Sequence, residues 1–103
     1  MITVGQDIRD DLRLSCDVVV VGTGCGASPL AAQLVAQGHD VVMLERGGYY
    51  TSRDFDQREL NMLAKIDGER GFGASDDISV VFSYGNNVGG ASVHYWADSY
   101  RTP

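Results

Sequence analysis

The sequence of 103 residues is poor in cysteine and in basic residues, and it lacks a long apolar run. Cys16 and Cys25 have neither a CxxC nor a zinc-ligand spacing, so no metal site is expected and the expected location is the reducing cytoplasm. Eight basic against fourteen acidic residues give a net charge of -6, which argues against nucleic acid or an anionic membrane surface as a partner. No stretch approaches the roughly 20 apolar residues of a membrane span, and none has the order of a signal peptide.

What the sequence does contain is typical of a small folded domain. Its hydrophobic fraction of 44% and charged fraction of 21% are those of a globular chain. A chain of this length buries only about two-thirds of its unfolded surface, so we expect a thin core. Residues 1–16 are predicted to be an N-terminal tail, and the informative part of the sequence is residues 17–103.

Residues 17–48 have the pattern of a strand, a helix and a second strand. The continuous β-branched run from Val18 to Val21 favours a strand covered on both faces, as in a parallel sheet. Apolar residues then recur at helical spacing from Ala27 to Val35, Gly38 ends the helix, and Val41 to Leu44 form a second apolar run. The predicted fold class is therefore α/β, with a Rossmann-like βαβ unit whose first loop lies at the carboxyl end of the first strand.

The loop after the first strand matches the dinucleotide fingerprint G-x-G-x-x-G/A. Gly22, Gly24 and Ala27 carry the pattern, and Gly26 is an additional small residue. Gly22 permits the tight turn, whereas a side chain at Gly24 would block the approach of a pyrophosphate. The N–H groups and the positive dipole end of the helix are then expected to face the phosphates.

An acidic residue ends the second predicted strand, roughly twenty residues after the glycine loop. A carboxylate at Glu45 accepts hydrogen bonds from ribose hydroxyls and repels a 2′-phosphate. This disfavours NADP, although the neighbouring Arg46, also a candidate cofactor contact, weakens the argument. FAD and NAD share the unit, so the rest of the chain has to distinguish them.

The second half of the chain departs from the usual NAD domain, which continues at once into a further βα unit of the same sheet. Residues 49–77 are predicted to be an excursion with a helix from about Asp56 to Ile66, and its apolar side is expected to contain Leu60, Leu63 and Ala64. The run from Ile78 to Tyr84 is predicted to be a strand.

A second glycine-rich segment follows that strand. The paired Gly89 and Gly90 let the backbone approach a ligand, and Ser92, His94 and Tyr95 can bond to or pack on a planar ring. Taken alone, such a segment is more often a turn with a buried aromatic tail. After a dinucleotide fingerprint, it suggests one ligand held at two ends, and FAD is such a ligand.

Both motifs resemble those of the glucose-methanol-choline (GMC) flavin oxidoreductases. The first motif consists of VVVGTGCGASPLAAQL and MLERGG, and the second is GNNVGGASVHYWADSYRTP. The likeness covers about residues 16–103 and is closest to the long-chain alcohol oxidase and cholesterol oxidase-like branch. It implies an FAD enzyme that oxidises an alcohol carbon by hydride transfer to flavin N5. It also implies three sets of cofactor contacts. The pyrophosphate would be contacted by Gly22, Thr23, Gly24, Cys25 and Gly26, and the adenosine ribose by Glu45. The flavin side would be contacted by Gly89, Gly90 and Ser92.

The resemblance gives His94 and Tyr95 further roles and shows two departures. In several relatives a histidine at the spacing of His94 is joined to the flavin methyl group, so the resemblance implies flavin contact and leaves a covalent link open. Ala91 replaces the usual glycine, serine or threonine. Tyr95 stands where asparagine is common, which changes how the flavin edge is hydrogen-bonded because a phenol is longer and differently directed.

The resemblance also implies that much of the enzyme lies outside this chain, because the family's catalytic histidine and substrate domain have no counterpart here. We therefore expect no catalytic residue in the chain and a larger companion polypeptide from a nicked, processed or split enzyme. Residues 17–103 would be the N-terminal part of an FAD-binding domain, divided into a dinucleotide unit (17–48), an excursion (49–77) and a flavin-contacting segment (78–103). The alternatives are an NAD-binding dehydrogenase or regulator domain, and a flavin-bearing lyase or non-catalytic binding module.

Overall fold

The computed structural model describes residues 1–93 of the chain. Two strands, two helices and two short 3-10 turns follow one another along it, namely a turn at Gly5–Asp7, β1 at Val18–Val21, α1 at Ala27–Ala36, β2 at Val41–Leu44, α2 at Glu59–Ile66 and a turn at Gly90–Val93. Neither α1 nor α2 has the length and apolarity needed to cross a lipid bilayer.

A strand, a crossover helix and a parallel second strand form the N-terminal unit. Val18 pairs with Val41 and Val21 with Leu44, so β1 and β2 are in parallel register along their whole length. α1 connects them and ends just before Gly38, whose φ of +92° is the left-handed conformation that commonly terminates helices. The α/β prediction and both predicted strands are confirmed, and the unit has the form of part of a Rossmann-like sheet.

The apolar core is thin, as expected from the length of the chain. Val20, Ala31 and Ile66 are the buried apolar residues in the described part of the chain. Along β1 the side chains alternate, and Val19 and Val21 are 55% and 81% exposed. The predicted covering of β1 on both faces is therefore absent within residues 1–93, because two strands and one crossover helix supply too little apolar surface for a second layer.

Buried polar groups hold the second half of the chain. The carboxylate of Asp67, a residue only 3% exposed, accepts hydrogen bonds from the N–H groups of Glu69 (2.9 Å) and Gly71 (2.8 Å) and from the hydroxyl of Ser83. Asn87 is buried and its Nδ2 donates to the carbonyl of Ile66 at 2.9 Å. The loop after α2 and the segment before the second glycine motif are thus joined to the end of α2.

The segment that follows β2 packs closely against the second glycine-rich segment. Gly48 and Asn87 form an isolated parallel β-bridge, and the N–H of Val88 donates to the carbonyl of Gly48 at 2.9 Å. A Cβ built on Gly47 would overlap the backbone of Asn86 and Asn87. Only glycine fits at position 47, because the two backbones touch there.

α2 begins three residues later than predicted, and the side of the helix that is buried differs from the predicted one. Gln57 has a φ of +61°, and the N–H of Arg58 donates to the carboxylate of Asp56 at 3.0 Å, so Asp56 lies in a turn before the helix. Ile66 is buried, whereas Leu60 is 75% exposed. The predicted start near Asp56 and the predicted packing of Leu60 and Ala64 are wrong, since Ala64 is also exposed.

The predicted strand from Ile78 to Tyr84 does not form. The carboxylate of Asp77 accepts hydrogen bonds from the hydroxyls of Ser75 (2.7 Å) and Ser79 (2.8 Å), which lower its pKa to about 2 and close a turn. Ile78 within this turn has a φ of +59°, which a β-strand excludes. Val81, within the predicted strand, forms an isolated antiparallel β-bridge with Ala74.

We predict that Asp67→Asn lowers the free energy of unfolding by about 1–3 kcal/mol, because the amide cannot satisfy all the donors that the buried carboxylate accepts. The exposed Asp76→Asn is the control in the same loop. Urea denaturation of the protein measures both changes. Equal stability of the two variants would contradict a structural role for Asp67.

The same pair of variants has an expected pH dependence. Burial raises the pKa of Asp67, but hydrogen bonds from Ser83, Gly71 and Glu69 outweigh it and bring the pKa below its usual value. The carboxylate therefore stabilises the folded state fully above the ordinary aspartate pKa of about 3.9, and this contribution is lost as the pH falls below it towards the lower folded-state pKa. The difference between wild type and Asp67→Asn should be constant near neutral pH and shrink below about pH 4.

We predict that Gly47→Ala destabilises the protein by about 1–3 kcal/mol, since the backbones of two segments must separate to admit the methyl group. Gly5→Ala is the matched control, because a Cβ at Gly5 meets no atom of the described residues within 4 Å. Thermal unfolding of both variants tests the contact. A Gly47→Ala protein as stable as Gly5→Ala would show that the segments do not touch as described.

Candidate dinucleotide-binding site

The first glycine loop forms an open cradle at the start of α1. Gly22 has a φ of +90°, and its N–H donates to the carbonyl of Leu44 at 2.7 Å, which fixes the turn against the end of β2. Cβ atoms built on Gly22, Gly24 and Gly26 would meet nothing within 4 Å in the described part of the chain. The first turn of α1 contains no acidic residue. An anion could therefore approach the N–H groups that precede Ser28 at this helix end, whereas the N–H of Ser28 itself donates to the carbonyl of Gly24 at 3.0 Å and Pro29 has none.

Glu45 is adjacent to this loop because β2 ends beside β1. The N–H and the hydroxyl of Thr23 donate to Glu45 Oε2 at 3.0 and 2.7 Å, and the N–H of Gly47 donates to Oε1 at 2.8 Å. Partial burial raises the pKa of Glu45, but the donors on Gly47 and Thr23 outweigh it, so the pKa lies below its usual value. The site therefore carries a negative charge at neutral pH.

The second glycine motif is in direct contact with the first. The N–H of Gly89 donates to Thr23 Oγ1 at 2.9 Å, across 66 positions of sequence. A Cβ on Gly90 would lie 3.1 Å from the Cα of Gly24. Gly89 and Gly90 have φ values of +96° and +62°, a conformation that glycine adopts without strain. The two motifs that were singled out in the sequence thus form one continuous surface.

A cavity of about 440 Å³ adjoins Thr23 and Glu45, within the usual size range of small-molecule sites. Gly47, Gly48 and Tyr49 line it together with residues 1–5. Of these neighbours, the sequence had suggested only Tyr49, as a residue that could cover the adenine side, with loop packing as the favoured account. The Gly47-Gly48 pair, which follows Glu45 after Arg46, was an available signal, whereas residues 1–5, which were predicted to belong to a tail, have no motif that would have revealed their position.

The remaining candidate residues lie around this surface in different ways. Arg46 is exposed and its Nε donates to Asn86 Oδ1 at 3.1 Å, so its guanidinium is directed towards the second glycine segment. Cys25 is an exposed free thiol in the first loop, and Ser92 is exposed in the turn at Gly90–Val93. His94 and Tyr95 lie outside the described residues.

Known proteins with similar sequences are oxidoreductases. The chain is 38% identical over 95 residues to the long-chain-alcohol oxidase FAO1 of Arabidopsis thaliana, an alignment that covers 92% of this chain and 12% of the oxidase. It is 39% identical over 98 residues to paromamine 6'-oxidase of Streptomyces fradiae, covering 94% of this chain and 18% of that enzyme. An uncharacterized GMC-type oxidoreductase of Sinorhizobium fredii is 40% identical over 48 residues, which are 47% of this chain and 10% of the relative.

The similarities to the two oxidases extend over most of this chain but over a small part of each relative, since the chain spans 12% of the length of the first oxidase and 18% of the second. Neither a family profile nor a solved structure matches the chain. The alignments with the first two relatives nevertheless cover nine-tenths of the sequence, so they span both glycine-rich motifs. By this similarity, the chain belongs to the GMC-type oxidoreductases, as its motifs predicted.

Proposed function

We propose that this chain is the FAD-binding portion of a flavin-dependent alcohol oxidoreductase. The observation that carries the proposal is the contact between the two glycine motifs, in which Gly89 bonds to Thr23 and Gly90 abuts Gly24. FAD has a pyrophosphate near its middle and a flat ring at one end. A surface made of two adjoining loops without side chains suits a ligand of this shape, because the backbone can approach it closely on both sides.

The open cradle at Gly22, Gly24 and Gly26 would hold the pyrophosphate. The chain has a net charge of -6, so attraction of an anion cannot come from its overall charge. It must come from the N–H groups and the positive dipole end of α1, a local effect worth about 0.3–1 kcal/mol per charge at an exposed site. Glu45 would accept a hydrogen bond from the adenosine ribose, and Thr23 would orient its carboxylate.

The flavin side of the ligand would lie along Gly89, Gly90 and Ser92, with His94 and Tyr95 beyond them. When bound, FAD supplies the ring that takes up hydride from an alcohol carbon. The residues of this chain would hold and orient that ring, and none of them is proposed as the base that removes the hydroxyl proton. The relatives named as long-chain-alcohol oxidases support an alcohol as the substrate class.

We further propose that additional polypeptide completes the enzyme. Val19, Val21 and Leu44 leave an apolar sheet face exposed, and a two-stranded sheet has two open edges. The stretch aligned with the first two relatives is 12% and 18% of their length, so their other parts are available to cover this face and to supply the substrate pocket and the base. The division into units at 17–48, 49–77 and 78–103 belongs to the same proposal.

We predict that the purified protein has the visible absorption of a flavin and is bleached anaerobically by an alcohol. Gly24→Ala should weaken FAD binding at least about tenfold, because the new methyl group enters the space of the pyrophosphate. The fold should tolerate it, since a Cβ at Gly24 meets no described atom within 4 Å. Fluorescence titration with FAD measures the affinity, and Ala32→Val on the exposed side of α1 is the control.

Three outcomes of that experiment would contradict the proposal. A colourless protein that binds NADH would favour the NAD-binding alternative. A yellow protein that no alcohol bleaches would favour a lyase or a non-catalytic binding module. Unchanged FAD affinity in Gly24→Ala would place the pyrophosphate elsewhere.

We predict that intact mass spectrometry under denaturing conditions shows a larger polypeptide that copurifies with this chain. The same spectrum shows whether FAD remains attached to the chain. If it does, the added mass should disappear in His94→Ala and persist in His39→Ala, the variant of the other histidine. A yellow, alcohol-reducible protein containing no polypeptide other than the 103 residues would contradict the companion. Added mass that survives in His94→Ala would exclude that histidine as the link.

A further inference from the structure

Ser28, in the first turn of α1, bonds to two successive peptide groups of the first glycine loop. Its hydroxyl donates to the carbonyl of Thr23 at 2.6 Å, and its N–H donates to the carbonyl of Gly24 at 3.0 Å. In a regular α-helix the carbonyl of Thr23 would accept from the N–H of Ala27, four positions later. Here the side chain of Ser28 supplies the donor instead. One residue of the helix therefore fixes the orientation of two neighbouring carbonyl groups in the loop.

The direction of these carbonyls determines the direction of the N–H groups that follow them. A trans peptide unit is planar, so the C=O of one residue and the N–H of the next point in opposite directions. The carbonyls of Thr23 and Gly24 are held towards Ser28, and the N–H groups of Gly24 and Cys25 consequently point away from it. Neither N–H donates to an atom of the described residues. Successive backbone N–H groups that point to a common side form a concavity that binds anions.

The loop offers an anion few other donors. Residues 22–36 contain no lysine, arginine or histidine, and Pro29 has no N–H. The loop is open, since a Cβ on Gly24 would meet no described atom within 4 Å and Cys25 is exposed. Binding of an anion here therefore depends on how accurately a small number of N–H groups are directed at it.

On the basis of the proposed function, we infer that Ser28 is a positioning residue whose hydroxyl directs the N–H of Gly24 at the pyrophosphate of FAD. The backbone N–H of Ser28 directs the N–H of Cys25 in the same way, through the carbonyl of Gly24. The two donors are thus oriented before the ligand arrives, and binding does not have to order them. Ser28 need not touch the ligand for this role.

Threonine can make the hydroxyl bond of Ser28, whereas alanine cannot, and both keep the backbone bond to Gly24. The test therefore compares Ser28→Ala with Ser28→Thr in the whole protein stripped of bound nucleotide. The probes are ADP, which contains a pyrophosphate, and adenosine, which lacks one, each titrated as a competitor of FAD. A general loss of structure in Ser28→Ala would weaken both probes, so the ratio between them isolates recognition of the pyrophosphate.

We expect Ser28→Ala to bind ADP roughly tenfold more weakly than wild type, because one charge-assisted hydrogen bond loses its alignment. Its affinity for adenosine should stay within about twofold of wild type, and Ser28→Thr should bind both probes as wild type does. Unchanged affinity for ADP in Ser28→Ala would overturn the inference. Equal weakening of ADP and adenosine would overturn it as well.

Nuclear magnetic resonance of the backbone amides examines the two N–H groups separately. In the wild type, ADP should move the amide proton signals of Gly24 and Cys25 downfield, and adenosine should leave them in place. In Ser28→Ala the shift at Gly24 should shrink while that at Cys25 persists, because the N–H of residue 28 still holds the Gly24 carbonyl. The wild-type measurement remains decisive if the variant does not fold. ADP that binds without moving either signal would contradict the proposed direction of these N–H groups.

Failure of this inference can be distinguished from failure of the proposed function. If the wild type binds neither FAD nor ADP, the proposed function itself fails, and this is seen before any variant is compared. If it binds both but Ser28→Ala behaves like wild type, the failure is of this inference alone.

Discussion

The hydroxyl group of Thr23 is the contact on which the arrangement of the site depends. It joins Gly89 to Glu45, and so connects two segments that are separated by 66 positions with the end of a strand. The apolar core cannot do this, because its buried members in the described chain are Val20, Ala31 and Ile66, none of which lies in the glycine loop at 22–26 or in the second glycine-rich segment. Thr23, Asp67 and Asn87 are buried as well. Buried hydrogen bonds therefore determine how the loops meet, and each one that is satisfied also specifies a single geometry.

The parts of the fold that were predicted correctly are those with strong local patterns. The bounds of β1 and β2 coincide with the two apolar runs, and α1 lies between the glycine loop and Gly38 as its periodicity and its terminal glycine indicate. The prediction failed where a side chain competes with the backbone for hydrogen bonds. Asp77 closes a turn with Ser75 and Ser79, and this prevents an otherwise strand-like run from forming a strand.

For the site, the sequence allowed the residue types to be predicted but not their mutual contacts. Glu45 was expected beside the glycine loop because the spacing of the βαβ unit requires it. The bond between Gly89 and Thr23 could not be predicted, because no periodicity or spacing relates residues so far apart. The contact of Gly47 with the backbone of Asn86 is of the same kind. In both cases glycine is a local signal of close approach, while the partner is decided by the tertiary fold.

A thin core and a site shared between two loops have a common physical consequence. The exposed valines of β1 show that packing within residues 1–93 stabilises only one side of the sheet. A ligand that binds both glycine motifs would contribute free energy to the folded state in proportion to its affinity and concentration. It would do so at the junction of Gly24 and Gly90, where the chain itself has no side chains with which to pack. Glycine at these positions gives up stabilising side-chain contacts and leaves room for a ligand, so the proposed coenzyme, once bound, would take the place of a hydrophobic core in this part of the molecule.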